Sequence, residues 1–187
     1  AFTVAIIALS AKMAKADGVI TRSEITAFRQ KVHIPTEDLK RVGQFWDLAR
    51  QTPDGFQSYA KQSVALFGSR APILEQLLEL LFFIAKADGE ISTPEWNYLN
   101  IVSSIFGFDE GEFQRMADIY GSGEGAAHTI LGIAADASER EIKAAWRKLV
   151  RENHPDKLIS QGLPEEFVQA ATDRLRLINA AYQSMLK

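Results

Sequence analysis

Cysteine is absent from the 187 residues of the chain, which excludes a disulfide framework, a thiolate zinc site and a cysteine nucleophile. Long apolar runs are missing too. The longest, Phe2 to Leu9 and Leu80 to Ala85, fall short of the roughly 18 to 20 residues that a spanning helix needs. The chain starts at Ala without Met and no basic stretch precedes Phe2, so no signal peptide is read. Neither sign of charge dominates, with 21 Lys and Arg against 24 Asp and Glu for a net −3, and this argues against a general polyanion binder. The 47% hydrophobic and 24% charged composition excludes bulk disorder and low-complexity architecture. Signatures of hydrolytic enzymes are also lacking: there is no Gly-x-Ser-x-Gly and no His-Glu-x-x-His, and His33, His128 and His154 are not spaced as metal ligands.

What is present is helical periodicity. Apolar residues recur at three-and-four spacing with almost no sustained alternation, so the expected fold class is all-α. The spacing predicts helices over about Phe2 to Ala16, Arg22 to Val32, Glu37 to Arg50, Phe56 to Ser69, Pro72 to Ala87, Thr93 to Phe106 and Glu110 to Tyr120. Gly121-Ser122-Gly123-Glu124-Gly125 then has the composition of a flexible linker. It lacks the preceding strand and following Lys-Ser/Thr of a phosphate loop. Before Ala126 there are 12 basic and 16 acidic residues, against 9 and 8 from there on. The expected organisation is a helical body over 1–120, a linker over 121–125 and a small module over 126–187.

The first part repeats itself. Ala14-Lys15-Ala16-Asp17-Gly18-Val19-Ile20-Thr21-Arg22-Ser23-Glu24 echoes Ala85-Lys86-Ala87-Asp88-Gly89-Glu90-Ile91-Ser92-Thr93-Pro94-Glu95. Each copy reads as a helix closed at Asp-Gly, an apolar Ile anchoring the turn, and a new helix opened by the capping-box spacing Thr21-x-x-Glu24 or Ser92-x-x-Glu95. Gly18, Ile20 and Glu24 fall where positions 6, 8 and 12 of a calcium-binding EF-hand loop would lie. Positions 1 and 3 would then be Met13 and Lys15, or Ile84 and Lys86, which excludes an EF-hand. Two readings stay open for Asp17, Glu24, Asp88 and Glu95: capping and surface solvation, or a shared oxygen site for a divalent cation. No other cofactor is expected. The doubled Ala-Asp-Gly-x-Ile-x-x-x-Glu set resembles the TerB-like domain of tellurite-resistance and related bacterial proteins. That resemblance implies a compact helical bundle with metal or partner binding on its acidic face, and not an enzyme.

The second part carries the sharper motif. Leu131-Gly132-Ile133 is followed by Ala137-Ser138-x-x-Glu141-Ile142-Lys143-x-Ala145-Trp146-Arg147-Lys148-Leu149, then His154-Pro155-Asp156, then Ile178-Asn179-x-Ala181-Tyr182. In this order and spacing the residues resemble the J domain of DnaJ-type co-chaperones. Ser138 reads as an N-cap, with Glu139 and Glu141 favouring the positive end of the helix dipole. Ile142, Ala145, Trp146 and Leu149 share one stripe, expected to pack on Phe167, Ala171, Leu175, Ile178 and Tyr182 of the last helix as an antiparallel hairpin joined by the His154 loop. Lys143, Arg147 and Arg151 stand four apart on another stripe, which is either a solvated face or a surface for an acidic partner. Nucleic acid is not the expected target, because the part is only weakly basic and no aromatics interleave with its cations.

The J-domain resemblance implies that His154, Pro155 and Asp156, with Lys143, Arg147, Lys148 and Arg151, engage a DnaK-type ATPase and stimulate its ATP hydrolysis. The chain would then do no bond chemistry itself and would shift a conformational equilibrium of its partner. Some positions depart from the family: Ala127-His128 replaces a common Tyr-Tyr, so a short first helix is expected, and Trp146 stands where Tyr is commoner. The chain ends at Lys187 without a fourth helix and lacks Gly/Phe-rich and zinc-binding substrate regions. The combined order of parts, with Lys157-Leu158-x-x-x-Gly162-Leu163-Pro164-x-Glu166, resembles the DjlA-type J proteins of Gram-negative bacteria. This resemblance implies a cytoplasmic location, at the inner face of the membrane where an upstream anchor is present. The alternative is an acidic metal- or signal-binding body with an accessory J-like hairpin.

Overall fold

The computed structural model describes residues 2–19, 21–121 and 125–187. Among these the chain is helical, with no strand. The body contains α1 (Phe2–Met13), α2 (Arg22–Lys31), α3 (Leu39–Ala49), α4 (Phe56–Phe67), α5 (Pro72–Ala85), α6 (Thr93–Phe106) and α7 (Glu110–Met116), the last continued by a π-helical turn over Ala117–Gly121. The C-terminal part contains α8 (Ala127–Leu131), α9 (Glu139–Asn153), α10 (Pro155–Ser160) and α11 (Val168–Met185). No helix among the described residues is long and apolar enough to cross a membrane.

The two apolar runs become the two central helices. Every residue of α1 from Ala5 to Met13 is buried, as are Leu74, Leu77, Leu78, Leu81, Phe82 and Ile84 of α5. A helix apolar on all sides has to sit inside, and α3, α4 and α5 surround α1 while α2 and α6 flank α5. Polar groups on this core are matched: Tyr98 donates its hydroxyl to the Leu9 carbonyl at 2.8 Å. Lys12, only 7% exposed, donates to the carbonyls of Thr52 and Asp54 at 3.0 and 2.8 Å. Burial holds the Lys12 ammonium below its ordinary pKa, against the opposing pull of Asp54.

The repeat is visible in the backbone. In each copy the first helix stops before its predicted end, α1 at Met13 and α5 at Ala85, because the chain tightens into i→i−3 bonds. Ala16 donates to Met13 and Gly18 to Lys15 in one copy, Ala87 to Ile84 and Gly89 to Lys86 in the other. Gly18 and Gly89 take φ of +87° and +134°, which lets the turn reverse. Thr21 and Ser92 then open α2 and α6 with complete capping boxes to Glu24 and Glu95. Ile91 packs half-buried against the core, and the predicted anchor Ile20 lies outside the described residues.

The predicted Glu37 to Arg50 helix begins instead as a 3-10 turn over Thr36–Asp38, entered from Pro35. The predicted Glu110 to Tyr120 helix widens into its π turn. Of the linker, Ser122, Gly123 and Glu124 lie outside the described residues. Gly121 and Gly125 flank them, and a Cβ on Gly125 would meet the Ile119 backbone at 3.0 Å.

A small second core joins α8, α9 and α11 through Leu131, Ile142, Ile178 and Ala181. Trp146 and Tyr182 stack beside it at 4.4 Å and 13°, and the Trp146 indole donates to Asn179 at 2.8 Å. The expected hairpin partners divide here. Ile178 and Tyr182 belong to this core, but Phe167 and Ala171 join Leu158 and Leu163 in the core of the body, where the Phe167 ring faces that of Phe2. The cause is that α10 and the first half of α11 lie over α1 and α5, so their apolar side chains turn that way.

Candidate functional site

The basic helix α9 starts at Ser138, whose hydroxyl accepts from the Glu141 amide while Glu141 accepts from the Ser138 amide at 2.8 Å. The hydrogen bonds from the Ser138 hydroxyl and amide hold the Glu141 carboxyl below its ordinary pKa. From that start the 3.6 period places Lys143, Arg147 and Arg151 along one line, all exposed. Lys148 is exposed as well but turned by one position. It stands on the wall of a cleft of about 680 Å³ between α9 and the body, with Glu75, Glu112 and Arg115 on the opposite side. None of the four cations is in an ion pair among the described residues.

Helix α9 ends at Asn153 and His154 is extended, with φ −66° and ψ 129°, as the following proline requires. Pro155 then opens α10 as its first residue, where a missing N–H costs nothing. The tripeptide is therefore the junction of two helices, and not the loop of a two-helix hairpin. His154 caps α10, its Nδ1 accepting from the Asp156 amide at 3.3 Å. An imidazole that accepts at Nδ1 carries its proton on Nε2, on the far side of the ring. Asp156 leaves 89% of its side chain exposed and His154 48%, so a donor and a carboxylate stand side by side at the surface.

Two residues that support this tip were not singled out by the sequence reading. Asn153 is 2% exposed and donates to the Leu149 carbonyl at 2.9 Å, tying down the last turn of α9. Arg174 of α11 is 4% exposed and enters the body, where Nη2 lies 2.6 Å from Glu75, and Nη1 lies 3.1 Å from Glu79 and 2.7 Å from the Tyr120 hydroxyl. Arg115 adds a second contact to Glu75 at 3.3 Å. Burial pushes both carboxyls up, but Arg174 and Arg115 outweigh it at Glu75, which ends below its ordinary pKa, whereas Glu79 stays above. Burial opposes the charge on Arg174 too, and Glu75, Tyr120 and Glu79 outweigh it to raise its pKa. The spacing holds a signal for Arg174: it sits three residues after Ala171 and four before Ile178, on the buried stripe of α11.

The four acidic residues of the repeat are occupied locally. Glu24, 1% exposed, accepts from the amide and hydroxyl of Thr21 at 2.7 and 3.0 Å. Glu95 accepts from those of Ser92 at 2.8 and 2.7 Å. Asp17 accepts from the Val19 amide at 2.9 Å. Asp88 is close enough to Glu24 and Glu95 to raise both their pKa values. Among the described residues no three carboxylates or imidazoles gather as a metal-binding group.

A capped helical repeat followed by a basic helix that ends in an exposed His-Pro-Asp junction defines the class: a J-domain protein with an all-helical N-terminal body. Residues 3–118 match the family described as Tellurite resistance protein TerB, and residues 126–187 match the DnaJ domain. The chain belongs to the TerB family and carries a C-terminal J domain. It is similar to Co-chaperone protein DjlA of Aliivibrio fischeri, 28% identical over 96% of this chain and 76% of that protein. The corresponding figures for Co-chaperone protein DjlA of Photobacterium profundum are 28%, 96% and 75%. For that of Shewanella oneidensis they are 27%, 94% and 73%. No solved structure matches the chain.

Proposed function

We propose that this J-domain protein is a co-chaperone that docks on a DnaK-type ATPase through His154, Pro155, Asp156 and the basic face of α9, and stimulates its ATP hydrolysis. The observation that carries the reading is the junction itself, an exposed imidazole N–H and carboxylate beside three aligned, exposed cations. Cations held in register attract an acidic surface from a distance and orient its approach. The rigid α9–α10 junction then presents two directional groups at the point of contact. The hydrolytic groups belong to the partner, whose conformational equilibrium shifts by as much as this chain binds one state better than the other. The TerB body selects what the complex acts on.

Single-turnover ATP hydrolysis by DnaK, with and without the full chain, tests the reading. The expected result is stimulation that His154→Gln and Asp156→Asn abolish without loss of helicity. Equal stimulation by wild type and His154→Gln would overturn it.

A further inference from the structure

A cavity of about 720 Å³ opens between α2 and α5, with the π turn and Ala170 of α11 closing its other sides. Its volume is that of a site for a small molecule or a few residues of chain. Gln76 lines it, is 8% exposed, and has no hydrogen-bond partner at either Oε1 or Nε2. A buried amide with neither its donor nor its acceptor met is rare in native folds and costs stability. Around it, Ala27, Leu80 and Phe83 supply apolar wall, and Phe83 is still 36% exposed. Leu80, Gln76 and Ala170 also border a small void of about 20 Å³ behind the cavity, into which an apolar tip could press.

The charges around the cavity divide into those already matched and those left over. Glu79 is held by Arg174, and Lys31 lies 3.7 Å from Asp173 with its ammonium over the Phe83 ring. Arg22 and Lys86 line the same cavity and are in no ion pair among the described residues. The unmet chemistry is thus one amide, an apolar wall and two cations. A peptide group offers an N–H and a carbonyl together, which answers both halves of the Gln76 amide. A fatty acid or other simple carboxylate has no donor for Oε1.

We propose that this cavity binds a short unfolded peptide segment, seating an apolar side chain against Leu80 and Phe83, its backbone on Gln76, and flanking Asp or Glu on Arg22 and Lys86. This deepens the reading that the TerB body selects clients. The site is separate from the His-Pro-Asp junction, so it is assayed with no ATPase present and its failure leaves the stimulation assay untouched.

The probes are two fluorescein-labelled, end-blocked heptapeptides with a Leu-Phe-Leu centre, one flanked by Asp and Glu and the other by Lys, titrated against the full chain by anisotropy. Decanoate serves as the competitor. The expected result is saturable binding of the acidic peptide, weakened about tenfold by Gln76→Leu, the effect of one lost hydrogen bond to a buried group. Arg22→Glu, at an exposed position, and the lysine-flanked peptide should show comparable losses. Gln76→Leu removes an unmet amide, so its thermal midpoint should rise while its binding falls. Absence of saturable binding by the acidic peptide, equal binding by wild type and Gln76→Leu, equal binding of the two peptides, or tighter binding by decanoate would each overturn the proposal.

Discussion

Arg174 of α11 and Glu75 of α5 meet at 2.6 Å with only 4% of the arginine side chain exposed, and this pair fastens the J domain to the TerB body. A buried pair with one partner removed leaves an uncompensated charge, which costs about 3 to 5 kcal/mol. Arg174→Ala should therefore lose about that much stability in urea denaturation and expose the seam, seen as an increased radius of gyration in solution scattering. Replacing the whole group by apolar residues, Arg174→Met with Glu75→Leu and Glu79→Leu, should restore stability to within about 1 to 4 kcal/mol of wild type or better. If Arg174→Ala were as stable and compact as wild type, the arginine would not be what holds the two parts together.

A second buried carboxylate sets a pH response. Burial pushes Glu24 from the ordinary 4.5 to about 7, Thr21 opposing through two hydrogen bonds and Asp88 and Glu95 adding to the rise. The folded chain thus holds this proton more tightly than the unfolded chain. The stability it contributes is complete below about pH 4.5 and is lost as pH rises through about 7. Glu24→Gln keeps an acceptor for the Thr21 amide and cannot ionise. Relative to wild type it should gain on the order of 2 kcal/mol between about pH 4.5 and about pH 8, measured as the change in urea midpoint across that range. Parallel pH profiles for the two proteins would show that Glu24 does not titrate in this window.

Local signals were legible wherever one segment decides the outcome. Thr93–Phe106 was readable to the residue because Ser92, Pro94 and Gly107 are each the residue type that a helix start or stop requires. The His-Pro-Asp junction was readable because proline fixes the backbone on both sides of itself. Phe167 and Ala171 show where such reading stops: their spacing says that the stripe is buried but not against which neighbour. Arg174 was overlooked for a related reason, since a charge on a helix reads as solvated unless the body that supplies Glu75 and Glu79 is known. The same limit applies to α10, whose short length left it inside an expected loop.

The aligned cations of α9 make a prediction about rates. Arg147 is exposed and touches neither core, so Arg147→Glu should change stability by less than about 0.5 kcal/mol. Association with DnaK, followed by stopped-flow fluorescence, should slow by about tenfold or more at low ionic strength, with a smaller deficit in high salt. An effect confined to dissociation, and insensitive to salt, would mean that Arg147 acts by direct contact and not by steering.

Pro155 offers the cleanest separation of fold from function. It occupies the first position of α10 and donates no hydrogen bond there, so Pro155→Ala removes nothing that the fold uses, and alanine suits a helix at least as well. What proline does is hold His154 at ψ 129° by barring it from the helical region. With alanine that bar is lifted, and α9 can run on through His154 into α10, carrying the imidazole off the tip and away from Asp156. Pro155→Ala should therefore keep stability within about 1 kcal/mol of wild type and show unchanged or slightly higher helicity. Its stimulation of single-turnover ATP hydrolysis by DnaK should fall by about tenfold or more, the effect of about 1.4 kcal/mol lost from the productive complex. Full stimulation by the alanine variant would mean that the extended geometry at His154 is a by-product of the helix junction and not the feature the partner reads.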